Sequence, residues 1–119
     1  MRNFRKYDIW SDSINFVTET YDLIRQLPSK EQYGLSSQLQ RAVVSIPSNI
    51  AEGASRESEK EFAHFLQISL GSAFEVETHL IIANRLKYIT IDQLNAFITP
   101  LNSIEKRLIE MIKRLHHSS

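Results

Sequence analysis

Apolar residues recur at steps of three and four positions along most of the chain, which is the spacing of amphipathic helices. Four stretches with this spacing predict helices at about residues 8–27, 35–54, 58–88 and 91–115. Short polar segments separate the stretches, so consecutive helices should run antiparallel. The pattern therefore predicts an all-α, up-down-up-down antiparallel four-helix bundle, with residues 1–119 forming a single domain.

Local signals support these boundaries. Two pairs have the capping-box spacing that typically opens a helix: Ser58 with Glu61, and Thr90 with Gln93. Pro47 and Pro100 fall inside the second and fourth predicted helices, and the apolar spacing continues beyond each of them. Because an internal proline removes a backbone hydrogen bond and clashes with the preceding turn, we expect both helices to bend rather than end there.

The composition excludes several classes of protein. Three glycines and three prolines in 119 residues are too few to supply the turns of a β-sandwich or barrel. The absence of cysteine excludes disulfides and thiolate chemistry. No apolar run approaches the ~20 residues needed to span a bilayer, and the first residues lack the apolar core of a secretion signal. We therefore expect a cytoplasmic protein that has no membrane partner.

Charge is balanced overall and uneven locally. Lys and Arg number 14, as do Asp and Glu, so no net field attracts nucleic acid. The N-terminus is nevertheless basic, with Arg2, Arg5 and Lys6, and two further arginines flank the polar part of the second helix, Arg41 and Arg56. These five residues are the candidates for binding RNA or DNA, provided that an oligomer gathers them on one surface.

The sequence offers little reaction chemistry. A di-iron site in a four-helix bundle needs two Glu-x-x-His pairs, and Glu61 with His64 is the one such pair in the chain. No serine lies in a Gly-x-Ser-x-Gly turn, and no glycine-rich loop could hold a phosphate. The sequence therefore predicts no catalytic, metal-binding or cofactor-binding residues.

A polar stripe lies beside the apolar stripe of the second helix. Its members are Arg41, Ser45, Ser48 or Asn49, and Glu52. One interpretation is a solvated surface. The other is a polar seam against a neighbouring helix or subunit, with Arg41 paired to a glutamate such as Glu52 or Glu75, because an unpaired buried charge is very costly.

Two helices carry more apolar residues than a single core stripe requires. The additional residues are Trp10, Ile14, Tyr21 and Leu23 on the first helix, and Ile98, Ile109 and Ile112 on the fourth. A contiguous exposed set would mark a contact surface between subunits, for which Trp10, Ile14, Tyr21, Ile98, Ile109 and Ile112 are the candidates. The alternative is a thicker core within one chain.

One long segment carries a family resemblance. It comprises residues 38–53, ending in Ser45-Ile-Pro-Ser-Asn-Ile-Ala-Glu-Gly53, and then Arg56, Phe62, Phe65-Leu66 and Gly71-Ser72. The chain resembles the four-helix-bundle proteins encoded by intervening sequences in bacterial 23S ribosomal RNA genes, which are related to accessory proteins of diversity-generating retroelements. The resemblance implies a homopentameric barrel without enzymatic activity. Some of the related accessory proteins bind nucleic acid and a reverse transcriptase through a basic surface, and the resemblance implies the same kind of binding as an alternative for this chain.

Together these features predict a non-enzymatic homo-oligomeric bundle that acts as an interaction scaffold. The resemblance implies that the oligomer is a pentamer. The expected partners are further copies of the chain and another protein. The alternative is an RNA- or DNA-binding accessory module whose basic residues are gathered by the oligomer.

Overall fold

The computed structural model describes residues 2–118 as four α-helices without a β-strand. The helices are α1 (Asp8–Ile24), α2 (Leu35–Ala54), α3 (Glu59–Arg85) and α4 (Ile91–Ser118). The predicted all-α four-helix fold is therefore confirmed. The ends differ slightly from expectation: α1 ends at Ile24 rather than about 27, α3 at Arg85 rather than about 88, and α4 continues to Ser118 rather than about 115.

The helices pack in the order in which they occur along the chain. Contacts join α1 to α2, α2 to α3 and α3 to α4, and α1 closes the bundle against α4. Both α2 and α4 continue through their internal prolines, Pro47 and Pro100. In this arrangement the groove between α1 and α2 and the groove between α3 and α4 lie on opposite sides of the bundle.

Hydrogen bonds at the helix ends explain most of the boundaries. The Ser58 hydroxyl accepts the Glu61 N–H at 3.0 Å and so caps the start of α3. Thr90 and Gln93 form a complete capping box, with Thr90 N–H donating to Gln93 Oε1 at 2.8 Å and Gln93 N–H donating to Thr90 Oγ1 at 3.1 Å. The earlier end of α1 is a tightened final turn, because Leu27 N–H donates to the Ile24 carbonyl three residues back at 3.0 Å.

The end of α3 places a non-glycine residue in the left-handed region. Lys87 has φ 66°, Tyr88 N–H donates to the Ala83 carbonyl at 2.9 Å, and Lys87 N–H donates to the Asn84 carbonyl at 2.9 Å. This pair of bonds is a Schellman motif, in which glycine usually occupies the left-handed position because it has no Cβ.

Replacing Lys87 by glycine should therefore raise the free energy of unfolding by about 1 kcal/mol, since a side chain in the left-handed region costs roughly 1–2 kcal/mol. Urea denaturation is the measurement. Lys106→Gly, an exposed position inside α4, is the control and should lower stability by about 1 kcal/mol. Equal destabilisation by both glycines would contradict the explanation.

The loop before α2 is fastened to the turn before α4. One oxygen of the Glu31 carboxylate accepts the Leu35 N–H at 3.1 Å, and the other accepts the Tyr88 hydroxyl at 2.9 Å. These bonds hold the pKa of Glu31 below its usual value and raise the pKa of Tyr88.

Candidate functional site

The N-terminal arm is bound to the end of α2 through Arg2. Its guanidinium Nη1 donates to the Arg56 carbonyl at 2.5 Å and to the Ala54 carbonyl at 3.5 Å. The same group lies 4.7 Å from the centre of the Phe62 ring. A cation is favourable at a helix C-terminus, where unpaired carbonyls carry partial negative charge. Arg2 thus serves as a cap for α2.

Arg56 is also held within the chain. Its Nη2 donates to Glu52 Oε1 at 2.7 Å, and its guanidinium lies 4.5 Å from the centre of the Phe65 ring. The Nε of Arg56 is buried and has no hydrogen-bond partner. The Arg56 guanidinium is thus partly neutralised by Glu52 and held against the Phe65 ring, at the same end of the bundle as Arg2.

The other basic candidates are exposed. Arg5 lies over the Phe4 ring at 4.6 Å, and Lys6 extends into solvent. Arg41 is exposed on α2, 15 residues before Arg56 and so about 22 Å from it along the helix axis. The structure brings four of the five candidate residues to one end of the bundle and leaves Arg41 apart from them.

The polar stripe of α2 contains a seam made of small side chains. Asn49 Nδ2 donates to the Ser45 hydroxyl at 2.8 Å and to the Ser45 carbonyl at 2.9 Å. The Ser72 hydroxyl on α3 donates to the Ser45 hydroxyl at 2.8 Å, and Ser69 donates to the Ile46 carbonyl at 2.8 Å. These bonds fix the register between α2 and α3. The polar stripe predicted from the sequence did not include Ser69 and Ser72, although their three-residue spacing on α3 was visible in the sequence.

The charged members of the stripe lie outside this seam. Glu52 pairs with Arg56 rather than with Arg41. Glu75 and Arg41 are both exposed, and no ion pair joins them within residues 2–118. The expected pairing of Arg41 with Glu52 or Glu75 inside one chain is therefore wrong.

The candidate subunit contacts divide into core and surface residues. Ile112 is 7% exposed and packs in the core, as does Leu23, so the thicker core accounts for these two and the expectation that Ile112 is a surface residue is wrong. Ile14 is 37% exposed. The remaining four are half-buried: Trp10, Tyr21, Ile98 and Ile109.

Two apolar surfaces result from this division. The first, called the α1/α2 surface, comprises Trp10, Ile14 and Tyr21 on α1 with Val44 on α2; Tyr21 and Val44 line one shallow depression. The second, called the α3/α4 surface, comprises Phe74 and Ile81 on α3 with Ile98 and Ile109 on α4. Phe74 is 49% exposed and was missed from the sequence.

A pair of carboxyl groups lies within the α3/α4 surface. Asn102 Nδ2 donates to Glu77 Oε1 at 3.0 Å and to Glu105 Oε1 at 2.8 Å, and Glu77 and Glu105 also contact each other. Glu105 is 6% exposed, and its Oε2 is buried without a hydrogen-bond partner. Burial, and then the hydrogen bond and charge of Glu77, raise the pKa of Glu105 to about 7.

Other chemistry is sparse in the described part of the chain. No three His, Asp or Glu side chains in residues 2–118 come together as metal ligands. No helix in the same range is long and apolar enough to cross a membrane.

Comparison with known proteins finds a matching family model and a similar solved structure. A family model described as 23S rRNA-intervening sequence protein matches residues 5–110. The fold is similar to that of a protein of unknown function from Bacteroides thetaiotaomicron VPI-5482, described as a member of the S23 ribosomal protein family, with a TM-score of 0.82 and 30% sequence identity. The alignment covers 88% of this chain and 98% of that chain. No curated protein matches.

Proposed function

The chain belongs to the family of 23S rRNA-intervening sequence proteins, and we propose that it acts as a cytoplasmic, non-enzymatic homo-oligomeric scaffold. Neither the family description nor the structural neighbour supplies a biochemical activity. The proposal therefore depends on the surfaces that the bundle leaves uncovered.

The exposed apolar side chains are the observation that carries the proposal. Nine large ones remain exposed in the described chain: Ile14, Tyr33, Val44, Ile68, Phe74, Ile81, Ile82, Leu86 and Ile91. Single exposed apolar residues are common on soluble proteins, but contiguous sets mark contact surfaces. The α1/α2 and α3/α4 surfaces are two such sets, and each continues into half-buried neighbours.

The positions of the two surfaces favour a ring over a dimer. They lie on opposite sides of the bundle, so a two-fold dimer formed through one surface would leave the other exposed. A contact between two different surfaces repeats from one copy to the next and closes into a ring when the rotation permits. The family resemblance supplies the number of copies, which is five.

The mass in solution tests this proposal directly. Light scattering at micromolar concentration should give five times the 13.8 kDa chain mass. Ile14→Glu and Phe74→Glu each place a charge in one surface and should reduce the mass to that of a monomer or a small open assembly. Ile91→Glu changes an exposed apolar residue outside both surfaces and should leave the pentamer intact. A monomeric wild-type protein would overturn the proposal.

Nucleic-acid binding is the alternative function. It is supported by the exposed Arg5, Lys6 and Arg41, and opposed by the balanced net charge and by the engagement of Arg2 and Arg56 within the chain. Association with RNA or DNA that weakens steeply with salt would favour this alternative, because binding to phosphates releases counterions.

A further inference from the structure

The carboxyl pair of Glu77 and Glu105 has no cation to balance it in the described chain. The residues one helical turn before and after each glutamate are all uncharged. They are Ala73, Phe74, Leu80 and Ile81 on α3, and Leu101, Asn102, Leu108 and Ile109 on α4. The polar groups next to the Glu105 carboxyl are Glu77 and Asn102, and neither is a cation. A carboxylate at this place would therefore be desolvated and next to a like charge.

The remaining helix in contact with α4 does not supply a cation either. Asp12 on α1 meets α4 through Arg107, with an Nη1 to Oδ2 distance of 2.7 Å. Arg107 is two residues beyond Glu105 and so points about 200° away around the helix. On α3, Glu75 and His79 are two residues from Glu77 and point away from it for the same reason.

The hydrogen-bond inventory shows which protonation state fits the site. Asn102 provides one amide group for two carboxyls, and Glu105 Oε2 remains buried without a partner. A carboxylate can only accept hydrogen bonds, whereas a protonated carboxyl can also donate one. One proton between the two groups supplies a donor and removes one of two adjacent charges.

We propose that Glu77 and Glu105 share one proton across the interface between α3 and α4, and that loss of this proton as the pH rises loosens the packing of the two helices. The pair is then a pH-sensitive switch built into the bundle. Both carboxyls belong to one chain, and the variants below are compared at one protein concentration because the pair lies within the α3/α4 surface that the proposed assembly would cover.

The direction of the pH effect follows from linkage. An unfolded glutamate has an ordinary pKa of 4.5 and has released its proton well below pH 7. The folded chain retains that proton to higher pH, because the pKa of Glu105 is raised. Stability falls with rising pH wherever the folded state binds more protons than the unfolded state. The loss should therefore begin near pH 4.5 and level off above about pH 7, where both states are deprotonated.

Urea unfolding between pH 5 and pH 8 is the first test, with wild type, Glu105→Gln and Glu110→Gln compared at one protein concentration. Glutamine keeps an acceptor for Asn102 and offers an amide donor to Glu77 at every pH. The wild-type unfolding equilibrium constant should rise between about tenfold and a hundredfold more than that of Glu105→Gln. Glu110→Gln, at an exposed position on α4, should follow wild type. The ionisable groups that are not substituted are common to all three proteins, so their contributions cancel in the comparison.

Carbon-13 NMR of the glutamate side chains is the second test. It uses the wild-type protein alone, so it does not depend on whether a variant folds. One step of the coupled pair should titrate near pH 7 in the wild-type protein, and amide exchange around Glu77 and Glu105 should quicken above that midpoint. A titration midpoint near 4.5 for the Glu105 carboxyl would overturn the proposal. Parallel pH profiles for wild type and Glu105→Gln would overturn it as well.

Discussion

Replacing Phe62 by alanine should lower the free energy of unfolding by about 3–5 kcal/mol, the usual cost of truncating a fully buried aromatic side chain. Phe62 is 1% exposed and lies in the first turns of α3. Its ring is 6.1 Å from the ring of Tyr7, at the start of α1, and 4.7 Å from the guanidinium of Arg2. One side chain therefore joins the N-terminal arm, α1, α2 and α3.

The same variant should release the N-terminal arm. Arg2 would lose the ring beneath its guanidinium, which leaves the two carbonyls at the end of α2 as its contacts. Trypsin should then cleave the arm of Phe62→Ala at Arg5 and Lys6 faster than in wild type, under conditions where the folded population is nearly complete. Urea denaturation at a fixed protein concentration measures the stability itself.

Ile68→Ala is the control, because it truncates a large apolar side chain of the same helix at a position that is 40% exposed and outside both apolar surfaces. It should cost about 1 kcal/mol, since much of the side chain already contacts water. Similar losses for Phe62→Ala and Ile68→Ala would show that burial in the bundle does not decide the stability of α3.

The helices could be predicted from the sequence because their signals are local. The three- and four-residue apolar spacing defines each helix, and Thr90 with Gln93 forms the expected capping box at the start of α4. The end of α3 comes three residues earlier than predicted, because Lys87 adopts a left-handed backbone conformation. A lysine in the sequence does not predict that conformation, whereas a glycine would. Helix existence was thus predictable, and the last turn depended on one backbone conformation.

The surfaces could be predicted only in part, because exposure depends on which neighbour covers each side of a helix. Ile109 and Ile112 are both additional to the core stripe predicted for the fourth helix, yet Ile112 is buried and Ile109 is half-buried. Phe74 lies beside the core residues of α3 in sequence, but half of it remains exposed. These outcomes follow from which helices pack against each other. The spacing of apolar residues along one helix does not reveal that arrangement.

The charged residues were the least predictable part of the chain. Arg2 and Arg56 resemble a basic patch in the sequence, yet both contact carbonyls, aromatic rings or Glu52 at one end of the bundle. Glu105 follows the core residue Ile104 and was not singled out, because a single glutamate in an amphipathic helix usually points to solvent. Its contact with Glu77 arises between helices that are distant in sequence.

Gly53, near the end of α2, lies where α2 and α3 approach each other closely. A Cβ added at Gly53 would lie 2.8 Å from Phe65 Cβ and 2.9 Å from Phe62 Cδ1. The Phe65 Cβ is fixed to the backbone of α3 and cannot rotate away, so the two helices would have to separate. Overpacking of this kind typically costs about 1–3 kcal/mol or more.

Gly53→Ala should therefore lower the free energy of unfolding by about 2 kcal/mol, although alanine is favoured over glycine inside a helix by about 1 kcal/mol. Gly71→Ala isolates that helix preference, because a Cβ at Gly71 would meet nothing within 4 Å, and this variant should gain about 1 kcal/mol. Urea denaturation of both variants beside wild type makes the comparison. Opposite signs at the two glycines are expected, since the same methyl group meets a packed helix at one position and open space at the other. Stabilisation by both substitutions would mean that α2 and α3 do not require glycine where they meet.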